Sequence, residues 1–179
     1  NRITGNTGAC HTDAQMRVAR AALHFWEEPC ISGKEGSGAI FFTGCALGCV
    51  FCQNTDISRG QAGKTVTVEQ LARICLNLQA QGANNINLVT AGHYLPAVAE
   101  ALKLAKVQGL QIPVVYNSSG YEKPEALRLL DGLVDIYLPD MKYMDVDLAR
   151  KYSRAGDYPE VAKCALEQMV KITGEPLLD

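Results

Sequence analysis

The sequence predicts an α/β protein, a partial (β/α) barrel in which parallel strands alternate with helices. Two features predict this: short apolar runs of strand composition alternate with segments of helical periodicity, and the connections between them are short. Such alternation indicates right-handed βαβ units around a parallel sheet. An open, doubly wound sheet has the same local pattern and stays an alternative, because periodicity does not report whether a sheet closes.

The composition narrows the class of protein. Hydrophobic residues make up 47% of the 179 residues and charged residues 20%, which is ordinary for a globular domain. A formal net charge of -2 leaves no basic stripe, so a nucleic acid is not an expected partner. No apolar run approaches the roughly 18 residues of a membrane span, and the first residues lack the apolar stretch of a secretory signal. We therefore expect a cytoplasmic protein without a membrane partner.

The chain is expected to divide into an N-terminal extension, residues 1–32, and a core, residues 33–179. In the extension, Thr12 and Asp13 can cap a helix over residues 14–25, where apolar residues recur at roughly helical spacing. The sequence begins without methionine and stops just after a helical pattern. We therefore expect an incomplete barrel that is truncated at both ends.

The core begins with a Gly-rich stretch that leads into a first strand at residues 39–42, and the later elements have their own local signals. Thr67 and Gln70 are spaced as a capping box for a helix, and Pro96 is a suitable first-turn residue for the next helix. The other predicted strands are residues 85–90, 112–116 and 134–138, and the predicted helices are residues 68–81, 95–107, 124–130, 146–152 and 158–172.

Four loops follow predicted strands. The first, residues 43–64, is long for a connection and contains three closely spaced cysteines, and the others begin at Thr90, Asn117 and Pro139. Because the carboxyl ends of parallel strands meet at one edge of a sheet, we expect these loops to lie together and to form the functional site.

Cys45, Cys49 and Cys52 offer three thiolates on this first loop. Seven cysteines, an odd number, favour reduced thiols or metal ligands over disulfides in a chain of this size. A structural zinc or an electron-transfer cluster normally takes four protein ligands, whereas a cluster with three keeps one iron open to another molecule. Gly44 and Gly48 allow the backbone to fold tightly around a cluster. From the spacing alone, a zinc site and a set of buried thiols stay alternatives.

The cysteine loop resembles a known family. Its spacing fits the motif CX3CXφC, in which φ is aromatic and is Phe51 here. The wider stretch GSGAIFFTGCALGCVFCQN resembles the pyruvate formate-lyase activating enzyme-like branch of the radical S-adenosylmethionine superfamily, and the similarity extends from about Val18 to the end of the chain. The resemblance implies a barrel of that type, a 4Fe-4S cluster on the three cysteines, and S-adenosylmethionine (SAM) as second cofactor, with Phe51 near the adenine.

The resemblance also implies an activity. In this family, one electron from the cluster cleaves SAM reductively to a 5'-deoxyadenosyl radical, which abstracts hydrogen. We therefore expect an oxidoreductase, activase-like toward a protein or peptide substrate, with a reducing donor such as flavodoxin or ferredoxin. The alternative is a non-enzymatic metal-binding module, with zinc or an electron-transfer cluster at the same cysteines. A third interpretation is an incomplete barrel that binds a cluster without turnover.

Further residues are implied contacts of SAM. Thr90 and Gly92 stand where the family usually has a Gly-Gly-Glu-like turn that meets the amino group of SAM; here the acid and one glycine are missing, which leaves backbone contacts. The other implied contacts are Asn117, Ser118, Ser119, Asp140 and Lys142. The first three suit the carboxylate and ribose, and the last two match a DXK pattern that places an ammonium near the carboxylate. An ordinary turn and a surface ion pair are the respective alternatives.

The remaining cysteines are scattered. Cys75 and Cys164 lie in predicted helices and are expected to be plain buried residues. Cys10 resembles the end of a cysteine-rich N-terminal segment found in this branch of the family, and the resemblance implies the remnant of a second metal site.

Overall fold

The computed structural model describes residues 5–60 and 62–174. The strands among these residues are β1 (Arg17–His24), β2 (Ser37–Phe42), β3 (Lys64–Thr65), β4 (Ile86–Val89), β5 (Val114–Ser118) and β6 (Ile136–Pro139). The helices are α1 (Pro29–Ser32), α2 (Thr55–Ser58), α3 (Val68–Ala80), α4 (Leu95–Val107), α5 (Pro124–Leu127), α6 (Val146–Ser153) and α7 (Tyr158–Thr173), with 3-10 turns at Gly92–Tyr94 and Arg128–Leu130. Nowhere in these two ranges is a helix both long enough and apolar enough to cross a bilayer.

The strands form one sheet in the order β3-β1-β2-β4-β5-β6. β2, β4, β5 and β6 are parallel, whereas β1 is antiparallel to both of its neighbours. The parallel strands are connected through α3, α4 and α5, so they are consecutive βαβ units. Within the described residues β3 and β6 do not pair, and the sheet stays open. The predicted α/β fold with a partial barrel is therefore confirmed.

The predicted helix over residues 14–25 is wrong, because Arg17–His24 is a strand. A β-bulge between Val18 and Arg20 shifts the alternation of side chains by one residue. Val18 and Leu23 therefore pack into the same core although they are an odd number of positions apart. The apolar residues Val18, Ala19, Ala22 and Leu23 include two pairs four positions apart, which is a helical spacing. The backbone hydrogen bonds to β2, which no local pattern reports, decide for the strand.

Through β1, the N-terminal segment joins the same sheet as the core strands. The antiparallel pairing with β2 runs from Val18 opposite Phe42 to His24 opposite Ser37. The division of the chain between residues 32 and 33 stays a proposal about domain organisation. Among residues 5–32, the helix that the structure contains is α1, which has four residues.

The other predicted elements are confirmed to within a few residues. At the start of α3, Gln70 N donates to Thr67 Oγ1 at 3.2 Å and Thr67 N donates to Gln70 Oε1 at 2.8 Å, the predicted capping box. The strand predicted at residues 112–116 begins two residues later. The reason is that Ile112 N donates to the side-chain oxygen of Gln79 in α3, at 3.2 Å, instead of to a neighbouring strand, and that Pro113 has no N–H to donate.

The two faces of the sheet differ in what they contact. One face carries Ile40, Leu88 and Tyr116, which are buried in the core with side chains of α3 and α4. On the other face, Arg20 lies opposite Phe41, Phe41 opposite Val89, and Val89 opposite Asn117 in the strand register. This second row of side chains lines a cavity.

Candidate functional site

A cavity of about 590 Å³, the main cavity, lies at the carboxyl ends of the parallel strands. Its lining includes the cysteine loop after β2 and residues at the ends of β4, β5 and β6. It brings together the following residues that the sequence suggested: Cys45, Cys49, Cys52, Phe51, Thr90, Asn117, Ser118, Ser119, Asp140 and Lys142. Gly92 instead lines a smaller cavity beside it.

The cysteine loop is fixed by backbone hydrogen bonds at both ends. Gly44 N donates to Ile57 O at 2.8 Å, and Val50 N donates to Tyr152 O at 2.9 Å. Gly44 has a φ of +94°, and a Cβ at this position would lie 2.5 Å from the carbonyl oxygen of Cys10. Glycine is therefore required immediately before the first cysteine.

The surroundings of Cys45 disfavour its ionisation. Burial raises the pKa of Cys45, the backbone N–H groups of Leu47 and Gly48 lower it, and the nearby Cys49 and Cys52 raise it. A free thiolate is thus disfavoured at Cys45, whereas a bound metal stabilises the thiolate form of its ligands. The loop is suited to hold its sulfurs as ligands and not as free nucleophiles.

Cys49 has a hydrogen-bond partner outside the loop. Ser153 Oγ, at the end of α6, lies 3.1 Å from Cys49 Sγ and 2.7 Å from the hydroxyl oxygen of Tyr143. Ser153 and Tyr143 are both buried. Hydrogen bonds to a ligand sulfur help to set the reduction potential of a cluster, so α6 acts on the candidate ligand directly.

The cysteines fit a cluster with three protein ligands. Within residues 5–60 and 62–174, no three His, Cys, Asp or Glu side chains surround one point where a single metal ion could bind. The cysteines of a cubane cluster bind different irons, so they need not converge on one point. Three thiols on a tight loop that opens on a cavity of about 590 Å³ suit such a cluster.

The turn after β4 is strained at Thr90. Its φ is +60°, and its N–H donates to Asn117 O in β5 at 2.9 Å. A positive φ is rare for a β-branched residue and costs on the order of 1–3 kcal/mol, so it persists only where the surroundings impose it. His93, two residues after Ala91, has its Nε2 2.7 Å from Thr43 O at the start of the cysteine loop. The turn is thereby tied to both neighbouring strands.

Tyr158 of α7 connects the loops after β5 and β6. Its hydroxyl oxygen lies 2.7 Å from Ser119 O and 3.0 Å from Asp140 O, and it accepts a hydrogen bond from Lys142 N at 2.9 Å. The ring is fully buried. One side chain therefore fixes the relative position of two loops that carry candidate SAM contacts.

Asp140 and Lys142 form an ion pair at the rim of the main cavity. Lys142 Nζ lies 3.0 Å from Asp140 Oδ2. Burial opposes the charge of Lys142, but the hydrogen bond and the charge of Asp140 outweigh it and hold the pKa of Lys142 above its usual value. The ammonium remains charged, and it can attract an anionic group in the cavity.

A second cavity of about 240 Å³, the side cavity, shares Cys45, Thr90, Ser118 and Ser119 with the main cavity. Glu122 also lines it. Burial raises the pKa of Glu122 to about 7, although nearby hydroxyl groups lower it. The side cavity therefore places a carboxyl group with unusual titration next to the cysteine loop.

The Glu122 carboxyl group is held by hydroxyl groups of neighbouring side chains. Oε1 accepts a hydrogen bond from the Tyr116 hydroxyl at 2.6 Å, and the Ser118 hydroxyl is a second hydrogen-bond donor to the carboxyl group. A Cβ at Gly92 would collide with this carboxyl group, so the absence of a side chain at Gly92 makes room for it. A carboxyl group from the loop after β5 thus lies against the turn after β4.

Several cavity residues were not found from the sequence. Arg20, His24 and Glu27 line the main cavity from β1 and the segment after it. Arg20 and His24 lie an even number of positions apart on one face of β1, a relationship that the predicted helix over residues 14–25 does not contain. For Glu122 the sequence carries no local signal, since its approach to Gly92 exists only because β4 and β5 are neighbours in the sheet.

The other cysteines lie in different environments. Cys75 is fully buried in α3, as predicted, and burial raises its pKa to about 12. Cys164 is only partly buried, so the prediction of a buried residue is wrong there. Cys10 is buried with its Sγ 3.3 Å from Thr12 Oγ1, and its part in a second metal site stays a prediction.

Residues 39–172, more than half of the chain, match the profile of the Radical SAM superfamily. The match begins in β2, includes the whole cysteine loop and ends in α7. This extent, together with the open parallel sheet and the position of the cysteines at its carboxyl edge, establishes that the chain belongs to the radical SAM superfamily.

Two relatives are similar to this chain. An uncharacterised protein of Methanocaldococcus jannaschii is 34% identical over 148 residues, which are 79% of this chain and 42% of that protein. A pyruvate formate-lyase-activating enzyme of Clostridium pasteurianum is 30% identical over 113 residues, which are 60% of this chain and 46% of that enzyme. The chain spans less than half the length of each.

Proposed function

We propose that this chain is the catalytic part of a radical SAM enzyme. Cys45, Cys49 and Cys52 would hold a 4Fe-4S cluster, with SAM beside it in the main cavity. The observation that carries the proposal is that the cysteine motif opens on a cavity whose other walls are polar residues at the ends of parallel strands. When bound, the cluster supplies the electron that cleaves SAM to the 5'-deoxyadenosyl radical, which then abstracts hydrogen.

The residues of the chain would bind and orient SAM. The Lys142 ammonium, held by Asp140, suits the carboxylate of the methionine moiety. Asn117, Ser118 and Ser119 are short polar side chains that can bind a carboxylate or a ribose hydroxyl without filling the cavity. These groups share one wall, so they would fix the methionine and ribose ends together.

Other residues would meet the adenine and the amino group of SAM. Phe51 is 55% exposed at the main cavity, and its ring meets the Tyr143 ring edge-on with centroids 6.2 Å apart. A ring held in this way offers a face on which adenine can stack. Thr90 and Gly92 would offer backbone groups to the amino group, at a turn whose conformation is imposed by its neighbours.

We further propose an activase-like reaction, in which hydrogen is taken from a protein or peptide. The Clostridium pasteurianum relative, an activating enzyme by name, supports this substrate class. The accessibility of the main cavity also supports a protein or peptide substrate. Along β1 and the residues that follow β1, Arg20 is exposed and Trp26 is 89% exposed at the cavity lining. An extended segment of another protein can approach along this side. A flavodoxin or ferredoxin would supply the electron, in the cytoplasm.

Metal and product analysis tests the proposal. Anaerobic reconstitution is expected to give iron and sulfide at about four each per chain, as for a 4Fe-4S cluster. After reduction, the protein with SAM is expected to form 5'-deoxyadenosine and methionine slowly even without its substrate, because cleavage needs only the cluster, an electron and bound SAM.

Two results would contradict it. Zinc at the cysteines in place of iron would favour the non-enzymatic module. A soluble, fully clustered sample with SAM bound that forms no 5'-deoxyadenosine after reduction would show that this chain is not an enzyme of this class. Cys45→Ala is the matched negative control, since it removes a proposed ligand and should give neither cluster nor product.

A further inference from the structure

The main cavity contains a carboxyl group that the proposed binding of SAM does not use. Glu27 lines this cavity from the segment between β1 and α1. Because β1 is antiparallel to β2, His24 at its end lies opposite Ser37 at the start of β2. The segment that carries Glu27 therefore leaves the sheet at the amino ends of the parallel strands, whereas the cysteine loop follows β2 at their carboxyl ends.

The position of Glu27 is fixed at its backbone and at its side chain. Glu27 N donates to Ser32 Oγ at 3.1 Å, and Ser32 is buried in α1. This short helix is held to the sheet in turn, because Asn85 Nδ2 donates to Ile31 O at 2.7 Å. At the other end, Asn117 Nδ2 donates to Glu27 Oε2 at 3.4 Å. The carboxyl group thus has a defined place in the cavity.

Glu27 lacks a cation beside it. None of the ion pairs among residues 5–60 and 62–174 includes Glu27, although its side chain is partly buried. Burial raises the pKa of Glu27, and the charges of Glu28 and Asp140 raise it further. His24 acts in the opposite direction without cancelling them. A positively charged group next to the carboxylate would therefore be favourable, since it would offset both the burial and the like charges.

A substrate can supply this positive charge. SAM must lie at the cluster, so a substrate that meets its radical lies farther from the cysteines than SAM does, and Glu27 enters the cavity from that direction. A Lys or Arg side chain forms charge-assisted hydrogen bonds with a carboxylate, which are stronger than neutral ones. Trp26 also lines the cavity and is 89% exposed, so the approach is open and an indole face is available to the cation.

We propose that Glu27 determines substrate specificity by binding a basic side chain of the peptide substrate. Ser32 and Asn117 would position the carboxylate for this contact. The inference rests on the proposed function, because it takes the substrate to be a protein or peptide, and it adds that a Lys or Arg lies near the site of hydrogen abstraction in that substrate.

The test compares peptides that differ in one charge. N-acetyl-Gly-Lys-Gly-amide and N-acetyl-Gly-Gln-Gly-amide are titrated anaerobically into the clustered protein saturated with SAM. Binding is followed by the fluorescence of Trp26, the one tryptophan of the chain. Wild type should bind the Lys peptide at least about tenfold more tightly than the Gln peptide, and Glu27→Gln should bind the two peptides equally.

A reversed charge gives a second, positive readout. Glu27→Lys should bind N-acetyl-Gly-Glu-Gly-amide more tightly than the Lys peptide, which the loss of a merely structural contact would not produce. Glu28→Gln is the matched control, because Glu28 is exposed and its side chain makes no capping hydrogen bond to α1. This control should keep the preference of wild type for the Lys peptide, and Glu27→Asp should recover part of it.

Three results would overturn the inference. These are a wild type that does not distinguish the Lys from the Gln peptide, a preference that survives in Glu27→Gln, and an equal loss of preference in Glu28→Gln. If Glu27→Gln weakens SAM binding and wild type shows no charge preference among the peptides, Glu27 is a contact of the cofactor instead. Wild type that forms no cluster or binds no SAM would mean that the proposed function itself has failed.

Discussion

The hydroxyl oxygen of Ser153 lies 3.1 Å from the sulfur of Cys49, although the two residues are 104 positions apart in the sequence. A hydrogen bond to a cysteine ligand stabilises the more negative, reduced state of a cluster. Ser153→Ala should therefore retain the cluster and lower its reduction potential. A redox titration followed by electron paramagnetic resonance measures this. Ser58→Ala, which removes another hydroxyl at the main cavity, should leave the potential unchanged.

The ligand assignment predicts a sharp division among the cysteines. Cys49→Ala and Cys52→Ala, like Cys45→Ala, should abolish the brown chromophore of the reconstituted protein, because each removes one of three ligands. Cys75→Ala and Cys164→Ala should retain it. Visible absorption together with iron analysis measures the outcome, and a full cluster in any of the first three variants would refute the assignment.

Lys142→Ala should weaken SAM binding without loss of the cluster, because the proposed partner of its ammonium is the carboxylate of SAM and not iron. A charge-assisted hydrogen bond contributes roughly 1.5–3 kcal/mol, which corresponds to about a ten- to hundredfold change in affinity. Anaerobic calorimetry measures it. Lys103→Ala, at an exposed position in α4, is the control for loss of one positive charge. Equal SAM affinity in both variants would mean that Lys142 does not contact SAM and forms only a surface ion pair with Asp140.

Glu122 should make the stability of the cluster-free protein depend on pH. Burial raises its pKa from an ordinary 4.5 to about 7, so the unfolded chain releases this proton before the folded chain does. The stability that depends on this proton is fully present below pH 4.5 and is lost as the pH rises through about 7. The loss is on the order of 3 kcal/mol.

The matched variant for this prediction is Glu122→Gln, which cannot ionise. In urea titrations it should be about as stable as wild type near pH 4 and more stable by up to about 3 kcal/mol at pH 8. The buried hydroxyls of Tyr116 and Tyr137 face the carboxyl group, and their own pKa values are raised, so neither titrates in this range. If the difference in unfolding free energy between wild type and Glu122→Gln were the same at pH 4 and pH 8, the prediction would be wrong. The pKa of Glu122 would then be the same in the folded and the unfolded chain.

Gly44→Ala should disturb the cysteine loop more than its backbone angle alone predicts. At Gly82 the φ is +89° and a Cβ would have nothing within 4 Å, whereas at Gly44 it would lie 2.5 Å from Cys10 O. Gly82→Ala should cost about 1–2 kcal/mol, the usual cost of a left-handed residue. Gly44→Ala should cost more and should also reduce cluster incorporation, which thermal unfolding and iron analysis measure. Similar results for the two variants would show that the contact with Cys10 is not tight.

Local patterns were sufficient where an element's stability comes from its own residues. The capping box of Thr67 and Gln70 satisfies backbone groups within α3 itself, so a pattern of four positions is enough to predict the start of the helix. The cysteine motif is of the same kind. The fixed spacing on a short loop keeps Cys45, Cys49 and Cys52 close together, and the location of the loop at the edge of the sheet follows from the alternation of strands and helices.

Contacts between residues that are distant in the sequence determined the strand β1 and several side-chain contacts of the candidate site. The segment Arg17–His24 is a strand because β2 supplies its hydrogen bonds, and the bulge beside Val18 erased the alternation that could have revealed it. Ser153 contacts Cys49 only because α6 packs against the cysteine loop. Glu122 contacts Gly92 only because β4 and β5 are neighbours in the sheet. A one-dimensional pattern reports which backbone groups a residue can satisfy nearby, but not which side chains the folded sheet places against it.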